Sequence, residues 1–77
     1  MAKRISSLQT GESVTLRFHG SKKLGNETHD NAAAFVEIRE TGDDAVAVFD
    51  LDGMLVEAYR FNGRWAYGTS AERLSLV

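Results

Sequence analysis

Apolar residues in this chain recur at every second position over several short stretches. Val14, Leu16 and Phe18 alternate with Thr15, Arg17 and His19, a period of two that fits a strand with one face against a core. Val46 and Val48 alternate with Ala45, Ala47 and Phe49, Leu55 to Phe61 continues the habit, and the tail Arg73–Val77 repeats it. Asp52-Gly53 and Asn62-Gly63 interrupt these runs. Both are turn pairs that accept the positive φ a type I′ hairpin needs at its two central positions. Strands 45–50, 55–61 and 64–69 are therefore expected to run antiparallel. Ile5 and Leu8, ahead of Thr10-Gly11-Glu12, form a short lead-in and turn, and Gly20 to Asn31 is the longest loop. Residues 32–40 fit two patterns: a short helix capped by Asp30 or Asn31, or a strand with Ala34, Val36 and Ile38 on one face. The strand is preferred, turning at Thr41-Gly42-Asp43-Asp44, because the next segment is extended and short hairpin loops are common. Thr69-Ser70-Ala71-Glu72 has the spacing of a capping box and allows a final helical turn. The expected fold is all-β, one small domain over residues 1–77. Its meander closes into an SH3-like or OB-like barrel or half-barrel of about five or six strands. An α+β arrangement with a helix near 31–40 is the alternative.

Two-residue loops at Asp52-Gly53 and Asn62-Gly63 also fix which residues share a side of the sheet. Val46, Val48, Leu55, Tyr59, Phe61 and Ala66 fall together, with Glu57 and Arg64 near the margins. Ala45, Ala47, Phe49, Val56, Ala58, Trp65 and Tyr67 fall on the other side, with Arg60 directly across from Trp65 and within reach of a cation–π contact. Both sides carry large apolar groups, whereas a solvated antiparallel sheet normally shows polar residues on one. The branched Val46/Val48/Leu55 side is expected to be the core. That leaves Phe49, Arg60, Trp65 and Tyr67 as a partner-binding surface, since Trp, Tyr and Arg are enriched at binding hot spots.

Composition narrows the classes of function. A chain of 77 residues buries only about 60–65% of its unfolded surface, which leaves little volume for a deep substrate pocket. The absence of cysteine excludes disulfides and thiolate metal sites and agrees with a reducing, cytoplasmic setting. No apolar run approaches the roughly 20 residues that cross a bilayer, and the basic N-terminal residues lack a following hydrophobic stretch. The net charge of −2 argues against a generic nucleic-acid coat. It is unevenly spread: residues 1–39 hold six Lys/Arg against four Asp/Glu, and residues 40–77 hold three against seven.

Catalytic motifs are present only as fragments. Val46-Ala47-Val48-Phe49-Asp50-Leu51-Asp52-Gly53 resembles the first motif of haloacid-dehalogenase-type phosphatases, which would make Asp50 the nucleophile and Asp52 the acid–base partner. That family needs a long downstream chain with a lysine. Here 21 residues follow Val56 and none is lysine, so the pair reads as a tight turn. Gly20 and Gly25 have P-loop spacing, but Asn26 and Glu27 stand where Lys and Ser/Thr must be. Ala34-Phe35-Val36-Glu37-Ile38 resembles the tail of the RNP1 motif of RNA-recognition domains without its basic-Gly-aromatic start. His19 and His29 have no recognised metal-ligand spacing, and neither has a nucleophile specified by context. Asn26-Glu27-Thr28 matches the N-glycosylation pattern, which has meaning only in a secreted chain.

The expected function is a non-enzymatic interaction or regulatory module, without cofactor or metal. It would act through an aromatic sheet face or an exposed edge toward another protein or a second copy of itself, and not toward a membrane. The alternative is a nucleic-acid-binding barrel. Arg17, His19, Lys22, Lys23 and Arg39 would form its basic patch, with Phe35 or Trp65 as a stacking platform.

Overall fold

The computed structural model describes residues 4–20, 27–39 and 44–77. Six strands, β1 (Ser13–Phe18), β2 (His29–Ile38), β3 (Val46–Leu51), β4 (Met54–Phe61), β5 (Arg64–Tyr67) and β6 (Glu72–Leu76), follow a 3₁₀ turn, η1 (Ile5–Ser7), among the described residues. Each strand pairs antiparallel with the next, and β6 returns to β1, so the sheet closes into a barrel with no crossover. The expected small all-β barrel is the observed fold, with a Cα radius of gyration of 11.8 Å.

Both two-residue turns form where their sequences place them. Leu51 pairs with Met54 around Asp52 (φ 52°) and Gly53 (φ 90°); Phe61 pairs with Arg64 around Asn62 (φ 51°) and Gly63 (φ 76°). The Asp50 carboxylate accepts a hydrogen bond from the Gly53 N–H at 2.7 Å, which accounts for that aspartate as part of the turn.

Residues 32–38 are strand rather than helix, and β2 begins earlier than the polarity suggests. His29, Asp30 and Asn31, expected in a loop, pair with Phe18, Arg17 and Leu16. Tertiary contacts supply what propensity lacks: Arg17 forms a double hydrogen bond with Asp30 at 2.9 and 3.2 Å, and the His29 ring stacks on Phe18. Val36 is the site of a bulge, since the register with β3 shifts between Phe35 and Glu37. The bend lets the first half of β2 serve β1 and the second half serve β3. The Thr10 hydroxyl donates to the Val36 carbonyl at 2.8 Å. Residues 69–71 form a turn and Glu72 already belongs to β6, so the final helical turn does not form. The expected turn over 41–44 lies largely outside the described residues.

The core inverts the expected assignment of faces. Leu16, Phe18, Ala33, Phe35, Ala47, Phe49, Ala58 and Leu74 form the interior, closed at one end by Ile5 and Leu8. Val56, Trp65 and Tyr67 pack against it, so the aromatic side of the meander points inward. The Val46/Val48/Leu55 side points outward. The physical reason is width. Barrel diameter grows with strand number, and a six-stranded barrel fills by alternating small residues with larger leucines and rings. Alanine at 33, 47 and 58 makes that room, and the Phe35 and Phe49 rings meet edge to face with centroids 5.6 Å apart.

Candidate functional site

Phe49, Arg60, Trp65 and Tyr67 share a face, as expected, but it is the interior face. Phe49 has no exposed surface. Trp65 and Tyr67 are half-buried, with Tyr67 set edge-on to Phe18 at 4.8 Å between ring centroids. Burial and a hydrogen bond to the Glu72 carboxylate push the Tyr67 phenol above its ordinary pKa. The Arg60 guanidinium lies 5.4 Å from the Trp65 ring centroid and donates to the Gly63 carbonyl at 3.0 Å. Arg60 thus closes the rim of the barrel, as its register opposite Trp65 predicts.

Among the described residues the large exposed apolar groups lie on β4 and at Val77. Met54 is 66% exposed, Leu55 63% and Phe61 45%. Two other outward residues are covered by their neighbours. Val48, 2% exposed, sits in register between Glu37 and Glu57, and Arg39 joins those two carboxylates at 3.2 and 2.7 Å. Ala66 is buried on the outer side beside Tyr59, whose hydroxyl donates to the Gly68 carbonyl.

β4 also has an open edge. Arg60 N–H donates to the Ala45 carbonyl, so Arg60, Ala58, Val56 and Met54 turn their backbone groups toward β3. Tyr59 and Phe61 turn theirs toward β5, and Leu55 and Glu57 aim the same way. The β4–β5 ladder, however, covers only Tyr59–Phe61 before the chain turns at Gly68. Among the described residues no strand receives the Leu55 and Glu57 backbone groups on that side.

The basic patch is redrawn. Arg39 is held between Glu37 and Glu57, away from Arg17 and His19, and Lys22 and Lys23 lie outside the described residues. Arg17 and His19 share the outer side of β1. Their new neighbours, Arg73 and Arg64, come from the acidic half of the sequence. His19 N–H donates to the Arg73 carbonyl at 3.0 Å, and Arg64 stands on the outer side of β5 opposite Phe61. The His19 ring nitrogen Nε2 is hydrogen-bonded to the Ser75 hydroxyl at 2.7 Å. Partial burial, with repulsion from Arg73, Arg17 and Arg64, holds the His19 pKa below the ordinary histidine value. Asp30 is held below the carboxylate range by its hydrogen bonds from Arg17, and Arg17 is raised in return. Arg64 and Arg73 were missed because each sits in a separate strand of an acidic segment; only the closure of β6 on β1 joins them to Arg17.

An open groove lined by Ser13, Val14, Thr15, Ala32, Leu76 and Val77 contains no ionisable side chain. Among the described residues no three His, Asp or Glu side chains cluster in a way that could hold a metal, and no helix is long and apolar enough to cross a membrane. No protein-family model matches the sequence, and no curated protein or solved structure matches it.

Proposed function

We propose that this protein is a non-enzymatic interaction module that self-associates through the open edge of β4. The observation that carries this reading is the mismatch between an eight-residue β4 and a four-residue β5, which leaves main-chain groups of Leu55 and Glu57 without a strand partner among the described residues, beside exposed Met54 and Leu55. An edge of this kind templates another strand. A second copy is the favoured occupant because the segment is self-complementary. Antiparallel pairing about a two-fold axis at Val56 sets Leu55 of one copy against Glu57 of the other. No like charges then face each other, and about four main-chain hydrogen bonds form. The aromatic face described above contributes by stiffening the barrel from within.

Sedimentation velocity over a concentration series tests the reading. Wild type should shift from monomer toward dimer as concentration rises. Leu55→Pro should remain monomeric with unchanged far-UV circular dichroism, because among the described residues the Leu55 N–H has no backbone acceptor and proline is tolerated on an edge. A wild type that stays monomeric into the hundreds of micromolar, or a Leu55→Pro chain that still dimerises, would overturn it.

A further inference from the structure

We propose that the outer surface of β5, β6 and β1, formed by Arg64, Arg73, Arg17 and His19 with Phe61 at its border, binds single-stranded nucleic acid. Two consecutive strands, β5 and β6, meet here with β1 from far earlier in the sequence. Arg73 lies across Ala66 from Tyr59 on one side and next to His19 on the other. Arg17 is two residues before His19, opposite Ser75. Arg64 begins β5 directly across from Phe61. Among the described residues Arg17 is the one of these arginines in a salt bridge, with Asp30, and its side chain remains 43% exposed. Glu72 is in register with Tyr67 and hydrogen-bonded to its phenol. Although the chain carries a net charge of −2, Arg17, Arg64 and Arg73 gather on this face beside Asp30. Burial is the first cause of the lowered His19 pKa, and the proximity of Arg73, Arg17 and Arg64 adds to it.

Charge alone would suit any polyanion. The aromatic border selects the occupant. Phe61 is 45% exposed and opposite Arg64, and Tyr59, tied down by Gly68, lies two residues before it on the same strand side. A stacking ring beside cations is the arrangement that holds a base and its phosphates without reading sequence. An acidic protein would use the arginines and leave the ring idle. The surface is a strip across three adjacent strands of a small convex barrel, which suits a flexible single strand better than the rigid, doubly charged track of a duplex.

The test is fluorescence anisotropy with labelled dT and U oligonucleotides of about twelve nucleotides, at about 20 and 200 mM salt. Three phosphate contacts predict a salt slope near −2, or roughly 100-fold weaker binding across that range. Arg64→Gln combined with Arg73→Gln should flatten the slope and weaken binding at low salt. Phe61→Ala should weaken it roughly tenfold and leave the slope unchanged, because a lost stack releases no counterion. Circular dichroism of each variant confirms the barrel, since all three side chains are exposed. No binding by wild type at low salt overturns the proposal. So does polyglutamate competing as well as the oligonucleotide while Phe61→Ala binds normally, which would assign the surface to acidic proteins.

Discussion

Ala71 carries a φ of 52°, the left-handed region that costs a non-glycine residue about 1–2 kcal/mol. Asp52 and Asn62 share that region, but their short polar side chains tolerate it. Ala71→Gly should relieve the strain and raise stability by up to about 1 kcal/mol once the added freedom of the unfolded chain is subtracted, read from the urea midpoint. His19 offers a second single-residue test. Its folded pKa lies below the ordinary histidine value of 6.5, because of burial first and the arginines second. Below that pH the unfolded chain binds more protons than the folded one, so the stability His19 contributes is present above 6.5 and is lost as pH falls through the folded pKa. An NMR titration should find its imidazole protonating at lower pH than a free histidine, and Arg73→Gln should move the midpoint upward. An unmoved midpoint would mean that Arg73 does not act on the ring.

At the scale of the elements, the turns were readable and the strand lengths were not. Asn62-Gly63 dictated a type I′ turn, and with it the pairing of Arg60 with Trp65, because that turn needs positive φ that few residue pairs accept. A Cβ added at Gly63 would meet nothing within 4 Å, so Gly63→Ala is penalised by the backbone alone. The expected loss is about 1 kcal/mol, measured by denaturant unfolding. The extension of β2 back to His29 and its bulge at Val36 were not legible. Asp30 and Asn31 are poor strand formers, and they are recruited by partners remote in sequence, Arg17 and Leu16. The same applies to the open stretch of β4. A mismatch in length between neighbouring strands shows only once both ends of each are placed.

The whole barrel determines which side of the meander is core. Phe49→Ala should cost about 3–5 kcal/mol, and Ala58→Leu, which forces a larger group into a filled interior, about 1–3 kcal/mol. Leu55→Ala, on the outside, should stay within about 0.5 kcal/mol in the same denaturation assay. Equal losses from Ala58→Leu and Leu55→Ala would restore the branched side as the core. By itself the sequence determined the strand periodicity, the two turns, the register they impose and the partition of residues between two faces, all of which are local steric properties. Only the tertiary structure decided that the alanine-and-ring face turns inward. Closing six strands sets Leu16, Phe18, Phe35 and Leu74 from the other strands against this face, and its alanines leave room for those larger groups. Closure also decided where the cations meet, since β6 must lie against β1 before Arg73 can stand beside His19.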